Sequence, residues 1–269
     1  MKKLATALVS AAAIMTMSTT AFAAENPAEV FDRVMEKNNT IQSAEIQSGV
    51  HSVILAKDVI PDGQMKVDMA MHAEMDMQDT TDLKYLAQVA SSILGQDSYS
   101  QVFYTDGYYY VDANGVKLKY PMSLEQIISS VQTGVNTSNM ESSYMKGISL
   151  NEVNGKRVLA YEANPKKLNK NVKEALGTVM NTLGTDVNLD MNIQEMKGAY
   201  VLDDNDYIIY MTNYIVYNME VLDQPMTCIT LMETEVQNPG EPVVVTLPST
   251  DGYEDLIGLY DGVIESEVE

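Results

Sequence analysis

Between Met65 and Met77 the chain alternates. Met65, Val67, Met69, Met71, Ala73, Met75 and Met77 hold the odd positions, and Lys66, Asp68, His72, Glu74 and Asp76 fill the even ones, with Ala70 the single apolar interruption. Successive strand side chains point to opposite faces, so the pattern predicts one long strand with a dry face and a wet face. At about 3.3 Å per residue it reaches roughly 43 Å, well beyond an ordinary strand. Such a strand needs long neighbours, which predicts a large curved antiparallel sheet. Its dry face is mostly methionine, a side chain that adapts to irregular space.

The other periodicities fill in the elements. Asn26 and Pro27 open a predicted helix through 38, with Val30, Phe31, Val34 and Met35 as its apolar stripe. Residues 41–57 alternate as a strand. Over 80–94, Leu83, Leu86, Ala90, Ile93 and Leu94 recur at three and four, and Gly95 stands where a helix would stop, so a helix is predicted there. A meander follows, with hairpin turns at Asp106-Gly107 and Asn114-Gly115. Ser123 and Gln126 have capping-box spacing, which opens another helix. Residues 145–163 form a hairpin around Asn154-Gly155, and Asn164-Pro165 starts a helix to Leu183. Strands near 187–202, 207–221 and 225–237 complete the sheet, followed by an extended segment at Val243–Leu247 and a short helix at Tyr253–Leu259.

Composition adds the compartment. Lys2 and Lys3 precede an apolar run, and Ala21-Phe22-Ala23 fits a signal-peptidase site, so residues 1–23 read as a cleavable signal peptide. No cysteine follows that site to carry a lipid, and no later run is long enough to span a bilayer. An exported, monomeric protein is expected. Residues 24–248 form its domain, and 249–269 form a C-terminal helix and acidic tail. A net charge of −21 on 269 residues argues against nucleic acid and against docking on anionic lipid by charge. The single cysteine, Cys228, excludes an internal disulfide.

Candidate chemistry is sparse. The chain has two histidines, His51 and His72, and no nucleophile elbow, zinc-protease motif or phosphate loop, so no enzyme activity and no cofactor are expected. Cys228 reads as a small buried hydrophobe. Thioethers beside His72 suit Cu(I), but alternation puts the imidazole on the face opposite the methionines. The acidic turn at Asp203–Asp206 lacks the spacing of a calcium loop. Tyr108–Tyr110, Tyr207, Tyr210, Tyr214 and Tyr217 would suit sugars but equally suit ordinary strands. What remains is the dry face of the long strand. Met65, Val67, Met69, Met71, Met75 and Met77 are the candidate cavity-lining residues, with a lipid or acyl chain as ligand.

Several segments together carry a resemblance. The N-terminal helix, the methionine strand, the Tyr-Thr-Asp-Gly-Tyr-Tyr-Tyr hairpin ending in Lys-Leu-Lys-Tyr-Pro-Met and the closing Val-Thr-Leu-Pro resemble secreted LolA-like proteins of Gram-positive bacteria. The resemblance spans about Asn26 to Pro248. It implies an α+β fold, an incomplete antiparallel β-barrel closed by helices on its concave face around an acyl-chain cavity. A cell-envelope protein is the partner it implies. A self-filled interaction protein and an extracytoplasmic Cu(I)-binding protein are the alternatives.

Overall fold

The structure is a computed structural model that describes residues 25–56, 60, 62–79, 83–123, 126, 140–170, 191–221 and 224–255. The predicted signal peptide, most of the helices predicted from Ser123 and Asn164, and the acidic tail lie outside these residues. Among the described residues twelve strands carry the fold: β1 (Ser43–Leu55), β2 (Gln64–Asp76), β3 (Lys84–Ile93), β4 (Gln96–Thr105), β5 (Tyr108–Ala113), β6 (Val116–Pro121), β7 (Met145–Val153), β8 (Lys156–Ala163), β9 (Met191–Leu202), β10 (Ile208–Val221), β11 (Gln224–Gln237) and β12 (Glu254–Asp255). Their order in one sheet is β12-β6-β5-β4-β3-β2-β1-β11-β10-β9-β8-β7. Among the described residues the helices are α1 (Pro27–Asn38), a 3₁₀ turn at Ser142–Tyr144 and a helical stretch at 165–170.

This corrects the expected fold. The protein is a large open sheet, and its described helices do not close a concave face. Within 80–94, where a helix is expected, Lys84–Ile93 is a strand. β3 pairs antiparallel with β4 from Tyr85↔Tyr104 to Ile93↔Gln96. Its period is obscured because apolar residues fall on both faces near its start: Leu86 packs in a cluster on one side, and Tyr85 with the preceding Leu83 in a cluster on the other. Apolar residues on both faces mask the alternation, and spacings of three and four then appear by chance. Glu254–Asp255, in the stretch where a short helix is expected, pairs instead with Leu118 and Lys119 of β6.

Gly95 therefore ends no helix. Leu94 at φ 52° and Gly95 at φ 76° form the two-residue turn joining β3 to β4, like Asp106-Gly107 and Asn114-Gly115 after them. Positive φ at both centres matches the twist of the flanking strands, and it disfavours a bulky residue such as leucine. Leu94 is also 70% exposed, so its side chain gains little from packing. Leu94→Asn should raise stability by about 0.5–1 kcal/mol, since asparagine visits this region at lower cost. A thermal melt checks this, and a lowered midpoint would show that the leucine has a packing role.

The chain divides into two compact units. The first comprises Met1–Asn38, Gly49–Asp68 and Met140–Glu235, and the second Asn39–Ser48, Met69–Asn139 and Val236–Glu269. In the first unit Asn26 Oδ1 accepts the Ala28 N–H at 3.1 Å and opens α1. The helix buries Val30, Phe31, Val34 and Met35 in a core with Leu159, Tyr161, Tyr200, Leu202 and Ile208. Its far end is tied by Asn38, whose Oδ1 accepts the Ile208 N–H at 2.9 Å and whose Nδ2 donates to Val34 O at 2.8 Å. Arg33 Nε donates to Asp206 at 2.9 Å, and Arg157 also donates to Asp206. Burial pushes the Asp206 carboxyl up, but hydrogen bonds from Arg33 and Arg157 outweigh it and hold it below the usual carboxylate range.

Candidate functional site

The second unit builds a sheet with two apolar faces. On one, Leu86, Phe103 and Tyr110 pack with Val245 and, at its margins, Val243, Leu247 and Tyr253. Phe103 and Tyr110 stack at 4.6 Å between centroids, and Tyr253 meets both edge-on at 5.6 and 5.1 Å. Val245 is buried while Val244 is exposed, the alternation of an extended segment. The Thr246 N–H donates to Glu74 Oε2 at 3.2 Å and fixes the segment to β2. This face is therefore covered by the chain itself.

The opposite face is assembled by register. The turns after β3, β4 and β5 align Tyr85, Tyr104, Tyr109 and Tyr120 as one rung across four strands. The next rung on the same side is Ala87, Val102, Val111 and Leu118, and the one after it carries Val89, Ser100, Ala113 and Val116. Met75 and Met77 of β2 pack in one cluster with Leu83, Tyr104, Tyr85 and Tyr109. Tyr109 and Tyr120 lie 5.5 Å apart. Burial, with Tyr85 and Tyr120 beside it, pushes the Tyr109 hydroxyl up to about 12, and burial raises Tyr85 and Tyr120 too. These hydroxyls stay neutral, so the face presents rings, thioethers and aliphatic groups without charge.

The six candidate residues fall into three settings. Met75 and Met77, at 5% and 7% exposure, belong to the tyrosine cluster. Met69 and Met71 lie on the same face of β2 by alternation but are 40% and 36% exposed. Met65 and Val67 are half-buried and belong to the first unit. Tyr85, Ala87 and Val89 lie on this same face, and the helix expected over 80–94 conceals them. The signal that would have found them is the alternation Leu83, Tyr85, Ala87, Val89 running into a two-residue turn.

The remaining reactive groups sit elsewhere. His72 Nε2 lies 3.1 Å from Glu74 Oε1, with Glu45 at 3.9 Å from Nδ1, so the imidazole keeps company with carboxylates and not thioethers. His51 Nδ1 pairs with Asp68 at 2.7 Å on an exposed surface. Among the described residues no group of three or more His, Cys, Asp or Glu is placed to hold a metal. Cys228 is 1% exposed, its Sγ donating toward Met219 Sδ at 3.7 Å, and burial pushes its thiol up, away from the reactive thiolate.

Residues 26–248 match the profile of DUF6612, a family of unknown function. The chain belongs to this family. The DUF6612 match takes in α1, β1 to β11 and the segment that covers the first apolar face, and stops before β12. Solved structures similar to this DUF6612 member include LprF from Mycobacterium bovis, with 10% identity over 83% of this chain and 97% of that one at a TM-score of 0.35. The lipoprotein LppX from Mycobacterium tuberculosis shares 9% identity over 82% and 100% of the two chains, also at 0.35. A β-barrel-like protein from Brucella abortus shares 11% over 74% and 100% at 0.25. Comparison with curated proteins gives no match. Among the described residues no helix is long and apolar enough to cross a membrane.

Proposed function

We propose that this DUF6612 member is a non-catalytic, exported binding protein that holds a lipid or acyl chain against the methionine face of β2. The observation that carries the reading is the gradient along that face. Met77 and Met75 are buried in an uncharged cluster, and the same face then opens to solvent at Met71 and Met69. An acyl chain laid there continues an apolar surface that already begins inside the protein. The LolA-like pattern of the sequence supports the same ligand class.

The driving force is removal of methylenes from water, at about 0.8 kcal/mol each, so roughly ten of them give about 8 kcal/mol before the cost of ordering the chain. Thioether side chains follow different chain shapes at little cost, which suits a ligand without fixed geometry. Met65 and Val67, the other two candidates, belong to the first unit. The partner that would deliver or receive the ligand is a protein of the cell envelope.

Replacing Met69 and Met71 together by aspartate should abolish uptake of a pyrene-labelled fatty acid. Both positions are exposed, so two carboxylates cost the fold little while putting charge where an apolar chain must lie. A thermal midpoint near that of the parent protein establishes folding. Undiminished binding by the folded double variant would remove this face from the site.

A further inference from the structure

Which methionines an oxidant reaches is decided by exposure. Among the described residues Met69 and Met71 are the exposed methionines, while Met35, Met75, Met77 and Met140 are buried and the others half-buried. The exposed two stand two residues apart on one face of one strand, where the buried part of the ladder ends. We propose that Met69 and Met71 form a paired sulfoxidation site that switches this face from apolar to polar. The consequence for ligand rests on the acyl-binding reading above. The site itself does not.

The reagent class is a two-electron oxidant such as hypochlorous acid. A thioether lone pair attacks the hypochlorous oxygen, an S–O bond forms and the O–Cl bond breaks. Chloride leaves with the electron pair and the hydroxyl proton passes to water. Sulfur loses two electrons and chlorine gains them. The product is a polar sulfoxide on the surface proposed to receive methylenes, and an acyl chain covering it would leave its oxygen without a donor. Met75 and Met77 keep their thioethers because the core excludes the oxidant, so the oxidised protein stays folded. The two methionine sulfoxide reductases, one for each sulfoxide epimer, restore the original surface.

Stepwise addition of hypochlorite to the folded protein, followed by peptide mass spectrometry, reads the site directly. Sulfoxide should accumulate at Met69 and Met71 well before Met75 and Met77. Affinity for a pyrene-labelled fatty acid should fall about tenfold or more in the same samples and return after treatment with both methionine sulfoxide reductases, one for each sulfoxide epimer. A Met69→Leu, Met71→Leu double variant, whatever its starting affinity, should show no change on the same treatment. Oxidation of Met75 and Met77 at the same rate as the exposed pair overturns the site. An oxidised protein that binds as before overturns the switch. If the untreated protein does not bind the fatty acid, the acyl-binding reading fails and takes ligand release with it, while the oxidation map still decides the site.

Discussion

Gly198→Ala should destabilise the first unit by roughly 3–5 kcal/mol, the cost of overpacking combined with a broken buried hydrogen bond. Gly198 lies in β9, opposite Asn213 of β10 and Tyr161 of β8. A β-carbon there would stand 2.5 Å from Asn213 Oδ1, 2.5 Å from the Thr212 carbonyl oxygen and 2.8 Å from the Tyr161 hydroxyl oxygen. The carbonyl belongs to the neighbouring strand's backbone and cannot withdraw without breaking register. The other two atoms are bonded to each other, the Tyr161 hydroxyl donating to Asn213 Oδ1 in the core.

That hydrogen bond occupies the space a β-carbon would need. Burial and the neighbouring Tyr200 push the Tyr161 hydroxyl well above its ordinary value, and burial raises Tyr200 to about 12. Tyr161 therefore keeps its proton and needs an acceptor, which Asn213 supplies across the glycine. Urea denaturation of Gly198→Ala measures the loss. A cost under about 1 kcal/mol would mean that the strands shift apart cheaply, contrary to the close-packed core described here. Adding Asn213→Ala should recover only part of the loss, because the Thr212 carbonyl remains in the way and Tyr161 loses its acceptor.

None of this was legible in the sequence, where Gly198 is one residue in the run Met-Lys-Gly-Ala-Tyr. The role of a strand glycine is set by side chains from both neighbouring strands, and periodicity within one strand does not reveal them. The long β2 was legible because its even positions are charged or polar over most of their length, which leaves alternation intact. β3 was not, because apolar Leu86 and Ala90 at its even positions mask the alternation of its odd ones. The candidate site shows the same divide. Met69, Met71, Met75 and Met77 are equivalent in the pattern, and only the positions of Leu83, Tyr85, Tyr104 and Tyr109 separate the buried pair from the exposed one. The tyrosine rung depends on three consecutive two-residue turns. Two of them, Asp106-Gly107 and Asn114-Gly115, were readable as such. Leu94-Gly95 was not, since leucine is a poor residue for positive φ and the glycine has a plausible role as a helix stop.

Phe31→Ala should cost roughly 3–5 kcal/mol, the range for emptying a large aromatic site in a packed core. Phe31 is 0% exposed. Its ring meets the edge or face of two others, Tyr161 at 5.8 Å and Tyr200 at 6.1 Å, and those two lie 5.2 Å from each other. The three rings join α1 to β8 and β9, and backbone pairing holds β8 against β9, so the alanine variant leaves a cavity on a fixed sheet surface. Collapse is then limited, which puts the expected loss toward the upper end. Phe31→Leu refills most of the volume and should lose no more than about 1.5 kcal/mol. The chain has no tryptophan, so near-ultraviolet circular dichroism reports its tyrosines, and Phe31→Ala should weaken that signal before the backbone signal changes. Equal losses for leucine and alanine would show that ring contact matters and volume does not. A negligible loss for alanine would mean that Val30 and Val34 hold α1 against the sheet on their own, leaving Phe31 a passenger in the core.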